Sequence, residues 1–569
     1  MLQITRTPQI FDVVVIGSGA GGGTAVKVLT DLGIHVALLE AGPMLNPARD
    51  FREHVLPDQV PHRGAGDHAE LYFGRQKSFN YWAAPNGFWE IDGEPYTVAP
   101  GSEFRWFRSR ILGGRTNHYG RISLRFSDYD FKRTDGLGDE WPVTYDEIAP
   151  YYDKAEGFIG VTGTHENLRT APDGNFLPPI PPRAHEVLIQ RASKKLGIPC
   201  IPSRMAMLTK PLHGRAACHY CGQCGRGCRT ASAFSSSQAM IFPAMKTGKL
   251  TVINGAMARE LITNDDGKVT AVSYVDKATR SEKQVRCRAV VVAASACESA
   301  RLLLNSKSSR FANGLANSSG VIGRYLTDST GYSLSGYIPA LAGMPRYNSD
   351  GIGGMHVYMP WWLHDDKSKD FPRGYHIELG GGFGMPQIGS FHGECQRHEG
   401  YGKTLKQKIR EDYGTYVHFA GRGEMIPNEH SYCEVDPHAV DQWGIPVLRF
   451  HFRWSQHEIK QVNHMHDTFA ALIETMGGRV DGPKRPAHDT DWISVPGTII
   501  HEAGTVRMGD DPKKSALNKF NQAHDVKNVF VMDAAPFVTQ PDKNVTLSIV
   551  AFAWRASEYL AEEMRKGNV

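Results

Sequence analysis

The stretch Phe11–Gly42, FDVVVIGSGAGGGTAVKVLTDLGIHVALLEAG, constrains this chain more than any other. Residues 12–16 read as a short buried strand, and Gly17-x-Gly19-x-x-Gly22 opens a helix that runs to about Leu32. A second apolar run, His35 to Leu39, ends on Glu40. Gly17 suits the tight turn, Gly19 lets the backbone approach a pyrophosphate, and Gly22 allows close helix–strand packing. The helix N-terminus offers unpaired N–H groups to the anion. Glu40, 18 positions after Gly22, is placed to accept hydrogen bonds from ribose hydroxyls. Strand, glycines, helix, strand and acid in one unit predict a dinucleotide-binding fold.

At 569 residues the chain is too long for one hydrophobic core, so two or three domains are expected. A net charge of +4 gives no reason to expect a nucleic-acid partner. No apolar run reaches the ~20 residues of a transmembrane helix. The N-terminus shows no hydrophobic signal segment and no twin arginine, which predicts a chain that stays in the cytoplasm on its own.

The pattern predicts an α/β architecture with a discontinuous nucleotide-binding domain, residues 1–45, 100–330 and 496–569. Within it, residues 250–275 alternate as strands about a turn at Asn264–Gly267, and Cys287–Ala293 is a second buried strand leading into a helix. Amphipathic helices are expected over Trp141–Gly157 and His185–Leu196. Residues 46–99, rich in aromatics, Pro and Gly, read as an excursion over the ligand. Residues 331–495 shift to Gly, His, Trp and Tyr and are read as a mostly antiparallel substrate-binding domain. There the Trp361–Trp362 pair offers stacking faces for a ligand ring.

Four of nine cysteines crowd into Cys218-x-x-Cys221-x-x-Cys224-x-x-x-Cys228, within a loop over residues 215–232. Closely spaced thiols in a chain otherwise poor in cysteine suit an iron–sulfur cluster, of the 4Fe-4S or 3Fe-4S type. A structural zinc ion, which commonly takes two separated pairs, is the alternative. Arg215, Arg226 and Arg229 flank the loop, either as modulators of a cluster or as a solvated rim.

Three separated pieces resemble the glucose–methanol–choline (GMC) family of FAD-dependent oxidoreductases. They are the N-terminal fingerprint with Glu40-Ala41-Gly42, the Gly113-Gly114 segment, and the C-terminal HEAGTVRMG…NVFVMDAAPFVTQPDKNVTLSIVAFAWRAS. Within that family the chain is most similar to the large subunits of bacterial flavin sugar dehydrogenases, glucoside 3-dehydrogenases included, and to pyranose 2-oxidase. The resemblance implies FAD rather than NAD, a Rossmann-like FAD domain beside a sheet-backed substrate domain, and oxidation of an alcohol to a carbonyl. It places a catalytic pair at His501 and Asn544. Hydride leaves a carbon only as its hydroxyl proton is removed, which calls for a base with near-neutral pKa, and a neutral histidine meets that need. Asn544 can orient the substrate oxygen, and it stands at the start of a helix whose N-terminus favours the charge of a reduced flavin. Glu424 is a candidate to orient the pair.

The resemblance further places Ala41, Gly113, Gly114, Asn117, His118 and Asp533 at the cofactor, with His118 standing where relatives form a covalent flavin bond. It implies a sugar or glycoside substrate, with a glucoside oxidised at C3 favoured. Electrons would leave through the cluster to an external acceptor such as cytochrome c. A small partner subunit would carry the chain to the periplasm. An oxygen-using oxidase with a structural cysteine loop, or a non-catalytic electron-transfer flavoprotein, are the competing readings.

Overall fold

The computed structural model describes residues 9–51, 87–88, 91–132, 135–344, 351–383, 390–482 and 492–569. Most of the excursion expected over residues 46–99 therefore lies outside the described residues.

The fingerprint unit folds as its pattern demands. Strand β1 (Ile10–Ile16) turns at Gly17 into the helix Ala20–Asp31 and returns as β2 (Val36–Glu40). Beyond lie β3 (Leu250–Asn254), β4 (Ala256–Thr263), β5 (Val269–Asp276) and β6 (Ser281–Val292). They form one seven-stranded sheet in the order β4-β5-β6-β1-β2-β3, with the strand Val529–Val531 also paired to β6. The pairings of β1 with β6 and β2, and of β2 with β3, are parallel, while β4–β5–β6 is an antiparallel meander. The predicted turn at Asn264–Gly267 joins β4 to β5, and Gly267 has φ +83°.

Parallel strands covered on both faces read as unbroken apolar runs. In β1, Val13 and Val15 enter one core with Leu29, Leu38 and Val291, while Val14 and Ile16 enter another with Leu39 and Val290. The strand β6 changes character along its length: its first half is largely exposed beside β5, and Ala289–Val292 is fully buried beside β1. The helix Ala296–Asn305 follows, as the second strand–turn–helix expected from the sequence.

A second sheet is antiparallel throughout. Its order is Tyr375–Gly381, Tyr416–Gly423, Thr330–Tyr337 and Arg479–Asp481. The helix Gln456–Thr475, opened by a Ser455/Glu458 capping box, lays Val462, Met465, Phe469 and Leu472 against it. These join Leu334, Ile377 and Phe419 in a separate core, where each fully buried side chain of this size contributes about 1.5–3 kcal/mol. The hairpin Tyr432–Val440/Pro446–His451 belongs elsewhere: Cys433, Leu448 and Phe450 share a core with β1 and β6. Predicted helices are present as Tyr145–Ile159 and Ala184–Lys195. Among the described residues, no helix is long and apolar enough to cross a membrane.

Candidate active site

The carboxyl ends of β1, β2 and β6 open into one cavity of about 380 Å³, where an open α/β sheet binds its ligands. It runs from Glu40, Ala41 and Met257, past Gly17–Gly21, to Arg115, His118, His501 and Asn544.

At the fingerprint end, two of the three motif glycines are required by packing. A Cβ on Gly17 would lie 2.4 Å from the Ala293 carbonyl oxygen, and one on Gly22 would lie 1.9 Å from the Gly17 carbonyl oxygen. Gly19 differs: a Cβ there would meet nothing within 4 Å. It borders open cavity, and the helix it starts has no side-chain cap. Unpaired N–H groups facing an open cradle are what a pyrophosphate needs. Glu40 is buried beyond this cradle, accepting from the Ser18 hydroxyl and from the Gly42 N–H at 2.7 Å. Burial raises its pKa and these two bonds oppose the rise. Ser18 in turn accepts from the Gly113 N–H at 2.8 Å, tying the first turn to the Gly113-Gly114 segment.

Asp533 lines the cavity and accepts from the Ser299 hydroxyl, from the Ala535 N–H at 2.7 Å and from the Ser295 N–H at 3.0 Å. Burial lifts it to about 6 against those bonds.

The other end brings His501 and Asn544 together across 43 residues of sequence, Asn544 Nδ2 standing 3.4 Å from His501 Nε2. The same Nδ2 donates to Glu378 Oε1 at 3.1 Å. A carboxylate only accepts, so this contact fixes which way the Asn544 amide points. Its NH2 therefore also faces His501, whose Nε2 must present a lone pair. The proton then sits on Nδ1, 3.0 Å from the Ser329 hydroxyl. The backbone is pinned as well, because buried Asp328 accepts from the N–H groups of His501, Ser329 and Gly497, each at 2.9 Å. Burial and the Glu502 charge push Asp328 up to about 7 despite those three bonds. Burial brings His501 down to about 3, with the Glu378 charge pulling the other way, so its imidazole is neutral at ordinary pH, with a pKa well below the near-neutral value expected for the base. The helix Thr546–Lys566 begins beside this pair without a side-chain cap, and Val545 and Thr546 line the cavity.

Two models of one family match this chain, an N-terminal one over residues 11–330 and a C-terminal one over 427–553, both described as GMC oxidoreductase. The chain is a GMC oxidoreductase. It is 29% identical to a 2-methyl-1,2-propanediol dehydrogenase from Mycolicibacterium austroafricanum, over 98% of this chain and 96% of that one. It is 27% identical to a paromamine 6'-oxidase from Streptomyces fradiae (98% and 92% covered). Identity is 26% to a fructose dehydrogenase large subunit from Gluconobacter japonicus (98% and 98%). The fold is shared with a formate oxidase from Aspergillus oryzae, at a TM-score of 0.66 and 15% identity over 99% of this chain and all of that one. FAD is the cofactor this family implies, and the open cradle at Gly19, the uncapped helix and buried Glu40 fit its pyrophosphate and ribose.

In this GMC oxidoreductase some expected contacts fall elsewhere. Asn117 does not line the cavity. Its Nδ2 donates to the carbonyls of Leu112 and Gly114 at 2.9 and 3.0 Å, and its Oδ1 accepts from Ser237, so it shapes the Gly113-Gly114 loop from within. Gly113, with φ +91°, likewise serves the turn, while Gly114 and His118 reach the cavity. His118 Nε2 lies 3.1 Å from the Ser109 hydroxyl, and burial together with Arg121 and Arg115 lowers it to about 3. Trp361 is buried among Trp362, Phe371, Tyr375 and His464 and is part of the second core rather than a sugar platform. Glu424 faces Arg373 at 3.8 Å, while the carboxylate bonded to Asn544 is that of Glu378. Glu378 holds the place Glu424 was expected to take, and no motif in the sequence marks it.

The four cysteines of the loop are thiols rather than disulfides. Among the described residues, no group of three or more His, Cys, Asp or Glu side chains is arranged to hold a metal ion. The expected cluster is therefore not supported by the geometry. The sulfurs meet local donors instead: Cys218 Sγ accepts from the Tyr220 N–H, Cys224 Sγ from the Gly353 N–H, and Cys228 Sγ lies beside the Thr230 hydroxyl, each at 3.3 Å. Arg215 is not a rim residue; it is buried and donates to the Phe158 and Ile159 carbonyls at 2.8 and 2.9 Å.

Proposed function

We propose that this GMC oxidoreductase oxidises a CH–OH group of a sugar or glycoside, a glucoside at C3 being favoured, with His501 as the base. FAD supplies the hydride acceptor when bound. The observation that carries the reading is the His501 Nε2 lone pair, turned to the Asn544 amide at the end of the cofactor cavity. His501 Nε2 takes the hydroxyl proton as hydride leaves the same carbon. Asn544 and the uncapped start of the last helix present N–H groups where negative charge gathers. His118 is the candidate for a covalent flavin bond, and residues 331–495 are the proposed substrate-facing part. Support for a sugar comes from the relatives, which include a fructose dehydrogenase large subunit and a C-glycoside 3-oxidase.

The electron exit is the finer part of the proposal. The spacing of Cys218, Cys221, Cys224 and Cys228 favours an iron–sulfur cluster, which would supply one-electron transfer to an acceptor such as a cytochrome c, although the four side chains as placed in this structure do not form a metal-holding group. The support is the donor set, four thiols on one loop, two of which accept backbone N–H bonds. A small partner subunit and delivery to the periplasm follow the same reading, since two relatives are named as a large subunit and a flavoprotein. The alternative is an oxygen-using oxidase, supported by relatives named as oxidases.

One preparation tests both levels. The protein is purified without oxygen, its iron and acid-labile sulfide are measured per flavin, and sugars and polyols are screened with an artificial acceptor and with oxygen. Iron and sulfide in near-equal number with turnover only on the acceptor supports the dehydrogenase. Absent iron with peroxide formation replaces it by the oxidase. No turnover on any alcohol, by protein carrying its flavin, overturns the catalytic reading altogether.

A further inference from the structure

We infer that Glu378 and His376 are positioning residues, a two-residue clasp that sets the orientation of Asn544 and, through it, which nitrogen of His501 accepts the proton. The inference rests on His501 and Asn544 acting as the pair proposed above.

His376 and Glu378 are two apart on the strand Tyr375–Gly381, so both side chains leave the same face. They meet a segment with the same spacing. His376 Nδ1 bonds the Asp542 carbonyl oxygen, and Glu378 Oε1 accepts from Asn544 Nδ2 at 3.1 Å. The clasp is closed on itself, since His376 Nε2 lies 3.4 Å from Glu378 Oε1. From the neighbouring strand, Arg422 pairs with Glu378 Oε2 at 3.1 Å. The two oxygens of Glu378 thus divide their partners, Oε2 taking the arginine while Oε1 takes the asparagine, with the His376 ring alongside.

This division has a chemical consequence. Burial disfavours a charged Glu378, but the Arg422 charge and the His376 and Asn544 hydrogen bonds outweigh it and hold the carboxyl well below the usual carboxylate range. An ionised carboxylate can only accept, so the amide of Asn544 is locked with its NH2 toward both Glu378 and His501. An unlocked amide could turn its oxygen to His501, which would then favour a proton on Nε2 and remove the base. The segment is held from the opposite side as well: Lys543 Nζ lies 3.0 Å from Asp130 Oδ2. Asn544 is therefore fixed by neighbours on both flanks, as a site that must keep a hydrogen bond aligned requires.

The test compares Glu378→Gln, Glu378→Asp and His501→Asn, each checked for flavin content. In Glu378→Gln, kcat is expected to fall by about 10²-fold, the lower range for proton-transfer machinery. KM should move far less, and Glu378→Asp, which keeps the acceptor, should recover part of the rate. A second readout does not depend on flavin. In flavin-free protein with 15N-labelled histidine, the His501 resonance, assigned by its loss in His501→Asn, should show the Nδ1–H tautomer. Glu378→Gln should shift it toward Nε2–H. A wild-type His501 already in the Nε2–H tautomer overturns the inference, as does a Glu378→Gln protein with unchanged kcat and tautomer. Activity lost in His501→Asn but kept in Glu378→Gln overturns the clasp alone. Activity kept in both overturns the catalytic pair beneath it.

Discussion

One amide group, Nδ2 of Asn544, serves two acceptors: Glu378 Oε1 at 3.1 Å and His501 Nε2 at 3.4 Å. The first contact decides the second. Asn544→Ala removes the donor yet leaves Glu378 paired with Arg422 and His376, so the fold should hold. The rate should not. A drop in kcat of about 10²–10³-fold is expected, the scale of losing one aimed hydrogen-bond donor. Steady-state kinetics on the flavin-loaded variant decide it, and a fall of less than tenfold would remove Asn544 from the chemistry.

Gly19 separates cofactor binding from folding. Its missing Cβ faces open space, whereas that of Gly22 would strike the Gly17 carbonyl at 1.9 Å. Gly19→Ala should therefore fold in flavin-free form with a thermal midpoint close to that of the unaltered chain, and bind FAD more weakly by tenfold or more, about 1.4 kcal/mol. Gly22→Ala should fail at folding itself. Thermal unfolding of the flavin-free proteins and FAD titration check the pair. Equal FAD affinity in Gly19→Ala would mean the pyrophosphate does not pass there.

His501 and His118 predict a pH dependence of stability. Burial holds both near 3 in the folded chain, against an ordinary value of 6.5. Between those values the unfolded chain binds protons that the folded chain refuses, so stability is full above about pH 6.5 and falls as pH drops toward 3. Replacing both histidines by Asn should flatten that decline. Thermal midpoints of flavin-free protein from pH 7 to pH 4 measure it, and parallel curves for variant and wild type would show that the two imidazoles are hydrated in the folded chain.

Lys543 is a buried ammonium between Asp130 and Asp542. Lys543→Met would leave both carboxylates without their counter-charge. Breaking one partner out of a buried ion pair costs about 3–5 kcal/mol, and the same loosening should slow turnover because Asn544 is the next residue. Denaturant unfolding gives the first figure and kcat the second. A loss below about 1 kcal/mol would show that water reaches this cluster.

The sequence by itself determined the nucleotide-binding unit and the family, and it named the two residues proposed as the catalytic pair. These are legible because their causes are local: a buried strand must be apolar, Gly22 has no room for a Cβ, and a helix start must offer free N–H groups. His501 and Asn544 stand in the HEAGTVRMG and PDKNVT contexts that carry the family resemblance. Glu378 and His376 had no such mark. They matter only because the strand Tyr375–Gly381 lies against residues 542–544, some 166 positions away for Glu378 and Asn544, and pairing across that distance is decided by the packing of two sheets. The same reason explains the misplacements. Trp361 looks like a ligand platform until its neighbours in the second core are known. Asn117 looks like a cofactor contact until its amide is found satisfied by its own loop, and Glu424 and Glu378 are told apart only by what the fold sets beside them.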